Sequence, residues 1–200
     1  MLRSAEERSL CSPARLRALG ALAADLARRR LAGDVAECGV YRGGSAVVLA
    51  DRLLRRSPTA AMWLFDAFDG MPEPGVEDPP HAWAEVGRYS SSAAAVRETF
   101  AAARVPFDRV HLVAGRFEMT LPRFVPPPLV LLHVDCDWYA SVKLCLSSLY
   151  DAVVAGGIVV IDDFGHWEGC RRAVESFFAE RAIRPALTPI DYTSHYFVKG

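Results

Sequence analysis

Apolar residues recur along this chain with two rhythms, a helical one and short continuous runs, and the two alternate. Between about Pro13 and Arg30, Leu16, Leu19, Leu22, Ala23 and Leu26 fall at three- and four-residue spacing, which predicts an amphipathic helix with Pro13 in its first turn. Gly33 ends that stretch. Asp34-Val35-Ala36-Glu37-Cys38 then reads as a short strand entering the turn Gly39-Val40-Tyr41-Arg42-Gly43-Gly44, and a helix is expected from Ser45 to Arg56. The pattern repeats: strand Met62 to Phe65, helix Ser92 to Arg104, strand Arg109 to Val113, strand Leu129 to Val134, helix Val142 to Val153, strand Ile158 to Ile161, helix Cys170 to Glu180. Two last strands are expected near Ala186 to Ile190 and Ser194 to Val198. Leu129 to Val134 is apolar on both faces apart from His133, as suits the centre of a parallel sheet.

Strands and helices in this order predict an α/β domain with a doubly wound sheet, and 200 residues are enough for one such domain, 1–200, with a full core. In sheets of this kind ligands sit at the carboxyl ends of the strands. That directs attention to Glu37 to Ser45, Asp66 to Gly70, Gly115 to Phe117, Asp135 to Tyr139 and Asp162 to His166. One stretch breaks the rhythm: 67–91 is long, rich in Pro and Gly, and carries Trp83 and Tyr89, so it is expected to act as a lid loop.

Composition narrows the partners. Twenty-three basic and 24 acidic residues leave a net charge of −1, spread along the chain, so neither nucleic acid nor an anionic membrane is an expected partner and a small molecule is. Arg3, Glu6, Glu7 and Arg8 interrupt the start, which argues against a signal peptide or a membrane-spanning helix and for a cytoplasmic protein. The five cysteines have no C-x-x-C spacing and read as reduced thiols rather than a zinc site.

The turn from Glu37 to Ser45 lets backbone approach a ligand and ends at a helix N-terminus that favours a carboxylate or phosphate. It lacks the G-x-G-x-x-G spacing that admits a pyrophosphate, which counts against a nicotinamide-dependent oxidoreductase, and it has no G-K-[ST] for a triphosphate. Taken alone, a plain strand-to-helix turn explains it as well. Asp66, ending the second strand, stands where such folds place an acid against ribose hydroxyls; a loop cap is the other reading, and Asp69 is the competing acid.

Asp135 and Asp137 follow the fourth strand, and Asp162 and Asp163 the fifth, so four carboxylates meet at one sheet edge. Such a cluster repels itself unless a cation sits among the acids, and all-oxygen donors favour Mg²⁺, with Mn²⁺ or Ca²⁺ also possible. Asp137 alone could instead cap the next helix.

Four segments together, Glu37 to Ser45, Phe65 to Pro72, Asp135-Cys136-Asp137-Trp138-Tyr139-Ala140-Ser141 and Gly156 to Phe164, resemble the macrocin O-methyltransferase family, and the likeness runs from about Leu16 to Lys199. The resemblance implies a Rossmann-like class I methyltransferase fold, a mostly parallel seven-stranded sheet with an antiparallel C-terminal strand. It implies S-adenosylmethionine as methyl donor and a sugar hydroxyl of a natural product, such as an antibiotic, as acceptor. Around the cofactor it places Glu37, Gly39, Tyr41, Gly43 and Ser45, with Asp66 on the ribose, Gly115 and Phe117 near the adenine, and Asp135 at the boundary with the metal. Asp135, Asp162 and Asp163 would hold Mg²⁺ or Mn²⁺. An acceptor with neighbouring hydroxyls would chelate the metal, and Asp137 would take the proton, with His166 as the other candidate base. Trp138, Tyr139 and Trp167 either wall the acceptor pocket or pack the core, and His133 reads as a satisfied core residue.

Two departures stand out. About a dozen residues precede the first helix, so the N-terminal helical cover, 1–32, is shorter than in family members, which implies an open pocket or one completed in a homodimer or higher homo-oligomer. Phe164 stands where a tyrosine is common. The competing expectations are an Mg²⁺-dependent enzyme acting on a catechol or other small vicinal diol, and a non-catalytic cofactor-binding protein of the same fold.

Overall fold

The computed structural model describes residues 5–200; residues 1–4, the start of the expected N-terminal cover, lie outside the described residues. Helix α1 (Pro13–Arg29) begins where Ser12 accepts a bond from the Arg15 amide and Pro13 needs no donor, and it ends at Arg30 in a left-handed conformation. Its face of Leu16, Leu19, Ala23 and Leu26 is buried, and Arg15 is buried on the same stripe. Strand β1 (Asp34–Cys38) runs into α2 (Gly44–Leu53), β2 (Met62–Asp66) is followed by α3 (Ala93–Ala103), and β3 (Val110–Ala114) by the short α4 (Phe117–Thr120). Beyond these come β4 (Leu129–Val134), α5 (Tyr139–Leu149), β5 (Val153–Ile161), α6 (Glu168–Glu180), β6 (Thr188–Pro189) and β7 (His195–Val198).

The sheet has seven strands in the order β3-β2-β1-β4-β5-β7-β6. Strands β1 to β5 are parallel, and β7 runs antiparallel to both β5 and β6. This is the doubly wound architecture with a reversed C-terminal strand. Leu19, Leu49, Met62, Leu64 and Phe100 pack one face of the sheet, and Leu132, Leu146, Phe177 and Phe197 the other. The chain leaves β1 for β2 on one side, while β4 occupies the other, so a crevice opens between the carboxyl ends of β1 and β4.

Several boundaries differ from the sequence expectation: α2 ends at Leu53 and not Arg56, α6 starts at Glu168 and not Cys170, and β6 is confined to Thr188–Pro189. Strand β5 starts at Val153, not Ile158: Gly156, with φ +78°, bulges while its amide still bonds Lys199 O at 2.6 Å, so the glycine pair bends the strand without ending it. Helix α5 starts at Tyr139, three residues earlier than the apolar spacing suggested, and its last expected turn, Tyr150–Ala152, tightens to 3₁₀.

The 67–91 stretch is folded. The Met71 amide bonds Arg88 O and the Gly87 amide bonds Met71 O, closing the loop on itself, and Pro80–Glu85 forms a 3₁₀ turn. Buried Asp78 pins it to the domain by accepting from the Tyr139 amide at the start of α5, 2.9 Å, and from the Gly75 amide, 2.8 Å. Among the described residues no helix is long and apolar enough to cross a membrane.

Candidate functional site

A cavity of about 430 Å³ lies at the carboxyl ends of β1, β2, β4 and β5. Its first wall is the turn after β1. Gly39 adopts φ +87°, and a Cβ there would lie 1.6 Å from Asp135 O, so only glycine lets this turn pass against the end of β4. Gly39, Tyr41 and Ser45 line the cavity; Gly43, at φ +83°, sets the start of α2 and faces Val96 instead. Asp66 also lines it, and its carboxylate accepts from the amides of Val40 (2.7 Å), Tyr41 (2.9 Å) and Phe68 (2.7 Å). Both readings of Asp66 therefore meet in one side chain: it clamps two loops, and it faces the cavity. Asp69 is engaged by Arg116 at 2.9 Å. Phe117 lines the cavity, while Gly115, at φ +138°, turns the chain away from β3 and donates to Asp66 O.

The second wall carries the acids. Asp135, Asp137 and Asp163 line the cavity. Asp137 sits at φ +59°, and the residue capping α5 is Trp138 with no side-chain cap bond, so the Asp137 carboxylate is left to the cavity rather than to the helix end. Burial, then repulsion from Asp162, pushes the Asp137 carboxyl up to about 7. Burial first and the neighbouring carboxylates second hold Asp135 and Asp163 well above the ordinary carboxylate range as well. Asp163 Oδ2 is buried without a hydrogen-bond partner.

Asp162 turns the other way. It is 2% exposed, meets the Arg15 guanidinium through Oδ2, and lies 3.3 Å from His133 Nε2 through Oδ1. Arg15 also reaches Asp191 at 3.0 Å and the Thr193 hydroxyl, tying α1 to the end of β5 and to the turn before β7. Burial works against the Arg15 charge, but Asp162, Asp191 and Cys11 together outweigh it and hold the guanidinium more firmly protonated than usual. The described residues bring Cys11, Asp135 and Asp162 to within 4.8 Å of one another as metal-competent donors; Asp163 stands outside that group.

Glu37 does not line the cavity. It is fully buried beneath it, with Oε1 accepting from the Ser45 hydroxyl at 2.5 Å and lying 3.1 Å from His133 Nδ1, and with Oε2 unpartnered. His133 is thus a core residue, as expected, but a charged one: burial disfavours its proton, and bonds to Asp162 and Glu37 reverse that and raise it well above the usual imidazole range.

The remaining wall is aromatic. His166 lines the cavity with its Nδ1 against the Tyr192 hydroxyl, and Trp167 lines it beside them. Trp138, by contrast, is 1% exposed, donates to Pro72 O at 2.9 Å and packs edge-on against Trp167, so of the two tryptophans only Trp167 walls the pocket. Arg15 and Tyr192 were missed from sequence. The signal for Arg15 was available, since Arg15, Leu19, Leu22 and Leu26 share one helical face.

Comparison with known proteins follows the same outline. A family model described as macrocin-O-methyltransferase (TylF) matches residues 6–199. The 8-demethyl-8-(2,3-dimethoxy-alpha-L-rhamnosyl)-tetracenomycin-C 4'-O-methyltransferase of Streptomyces olivaceus is 31% identical over 173 residues, 82% of this chain and 65% of that protein. The mycinamicin III 3''-O-methyltransferase of Micromonospora griseorubida is 29% identical over 82% of this chain and 68% of its own length. The chain thus spans about two thirds of the curated relatives it matches. The solved structure of the O-methyltransferase NovP superposes with a TM-score of 0.87 at 27% identity, covering 96% of this chain and 82% of that one.

Proposed function

The chain belongs to the macrocin O-methyltransferase family, and from that premise we propose that it transfers a methyl group from S-adenosylmethionine to a hydroxyl of a sugar on a natural product. The observation that carries the reading is the cavity itself, which sets the glycine turn and Asp66 on one side against Asp135, Asp137 and Asp163 on the other. The sugar acceptor is supported by relatives whose names specify rhamnosyl-tetracenomycin and mycinamicin methylation.

The cofactor supplies an electrophilic methyl group on a sulfonium. Gly39, Tyr41, Ser45 and Asp66 would hold it at the first wall, with Phe117 against its base. Asp137, whose carboxyl titrates near neutrality, takes the proton from the acceptor hydroxyl as the oxygen attacks. Geometry at this stage is an in-line displacement, so the residues' main contribution is orientation and the exclusion of water.

A divalent cation, Mg²⁺ or Mn²⁺, fits the second wall. The unpartnered Asp163 Oδ2 and the strained Asp135 and Asp163 carboxyls are donors in want of a positive charge. Asp135 and Asp162, which offer oxygens within 4.8 Å of each other, would hold the ion, with Asp163 beside them on the cavity wall; the ion would supply Lewis acidity that lowers the acceptor's pKa. Transfer of labelled methyl groups to glycosides and to simple catechols, before and after chelation, tests both parts. Turnover of the glycoside, abolished by EDTA and restored by Mg²⁺ or Mn²⁺, is expected; EDTA-insensitive transfer removes the metal, and a preference for catechols removes the sugar.

The outer part of the 67–91 loop is proposed to close over the acceptor. Trp83, in the 3₁₀ turn beyond the Asp78 anchor, is 54% exposed, and Tyr89, where the loop returns past its Met71–Arg88 closure, is 40% exposed and lines the cavity. Trp83→Ala is expected to raise the acceptor KM roughly tenfold, the loss of one exposed aromatic contact, with unchanged S-adenosylhomocysteine affinity. An unaltered acceptor KM removes the lid.

A further inference from the structure

An unbroken chain of polar groups runs from Ser45 at the cavity wall through Glu37, His133 and Asp162 beneath the floor to Arg15, back at the wall. Glu37 and His133 are direct register partners across β1 and β4, the two strands that flank the crevice. Ser45, Glu37, His133 and Asp162 are 4%, 0%, 0% and 2% exposed. The two ring nitrogens of His133 reach the two carboxylates, Nδ1 lying 3.1 Å from Glu37 Oε1 and Nε2 3.3 Å from Asp162 Oδ1. Among the described residues no other side chain hydrogen-bonds to both. A rigid five-membered ring with its two nitrogens aimed apart fixes the distance between the acid under the glycine turn and the acid at the end of β5, and contacts buried this deeply are shielded from competition by water.

We propose that His133 is a positioning residue that links cofactor binding to cation binding. The linkage rests on the reading above of where the two ligands sit. When the glycine turn closes on the cofactor, Ser45 and Glu37 settle, and Glu37 holds the His133 ring; the ring holds Asp162 Oδ1, and Arg15 holds Oδ2, so the carboxylates that face a cation are set in place. By reciprocity, a cation that fixes Asp162 fixes the floor of the cofactor turn. His133 touches neither ligand. Outer residues that orient ligating side chains commonly change metal affinity by an order of magnitude.

Calorimetric titration of S-adenosylhomocysteine with and without Mn²⁺, and of Mn²⁺ with and without S-adenosylhomocysteine, reads the linkage directly. In the wild-type protein each ligand is expected to bind about tenfold more tightly when the other is present. In His133→Gln and His133→Asn that factor falls toward one while each ligand alone still binds, whereas a residue of merely structural importance would weaken both and leave the factor intact. Should both variants fail to fold, Ser45→Ala loosens the Glu37 end of the same bridge and is expected to lower the factor too. Variants that keep the wild-type factor overturn the proposal, as does a wild-type protein that binds both ligands independently. A wild-type protein that binds S-adenosylhomocysteine and no Mn²⁺ removes the metal reading itself, and the linkage with it.

Discussion

Asp137→Asn is expected to lower turnover by about 10²–10⁴-fold, the range for loss of a positioned general base, with S-adenosylhomocysteine affinity unchanged. The same substitution is expected to stabilise the metal-free protein. Burial and the repulsion of Asp162 raise the folded-state carboxyl to about 7, above its value in the unfolded chain. A group shifted upward favours folding when protonated, and that contribution is lost as pH rises from the unfolded pKa through the folded one. At pH 8 the wild-type protein bears the full penalty of a buried carboxylate; at pH 4 it bears almost none. Asparagine cannot ionise, so the gain in melting temperature over wild type should be larger at pH 8 than at pH 4. A variant that keeps near wild-type turnover would remove Asp137 as the base, and a pH-independent stability difference would remove the buried-charge account.

Gly39→Ala carries the largest expected effect on folding. An added Cβ would meet the Asp135 carbonyl oxygen at 1.6 Å, and the residue stands at φ +87°. Neither obstacle is a side chain that can swing aside. Relief requires moving β4 from β1, where the Asp135 amide bonds Cys38 O, or giving up the bond from the Gly39 amide to Phe65 O on β2. A destabilisation of about 4 kcal/mol or more, in the exceptional range for one substitution, is expected in urea denaturation or as loss of soluble protein. Gly87→Ala is the control: it too has a positive φ, +74°, but a Cβ there meets nothing within 4 Å, so only the left-handed strain of about 1–2 kcal/mol remains. Equal losses at the two positions would show that backbone strain, and not the approach to β4, sets the cost.

The parts of the fold legible in sequence are those written in local chemistry. The helix from Pro13, the strand from Asp34 to Cys38 and the run Leu129 to Val134 each carry a period, a cap or a breaker, and all three lie where the spacing puts them. Gly156-Gly157 misled because glycine pairs break strands in isolation, and only the pairing with Lys199 and the crossing Arg29 reveals that this one continues. The cavity-facing acids Asp135, Asp137 and Asp163 were readable from strand order alone, since the ends of adjacent parallel strands must meet. What strand order could not supply is direction. Consecutive residues point to different sides, and which of Asp162 and Asp163 faces the cavity depends on an arginine almost 150 positions earlier. Glu37 shows the same limit: its place in the glycine motif was plain, yet its burial beneath the turn follows from its register with His133.

The Arg15 tie has a consequence for how the molecule is made. Its partners Asp162, Asp191 and Thr193 lie 147, 176 and 178 residues away in sequence, among the longest loops this chain can close. Contacts of that separation form late, after local helices and neighbouring strands are in place. During synthesis, the early helix therefore waits with an unmatched guanidinium until nearly the last strand has emerged, and the acidic floor takes its shape only then. Ordering of the acidic floor therefore waits on the segment after α6, and a polypeptide cut short before Asp191 would carry every acid of the site without the full clasp on Arg15.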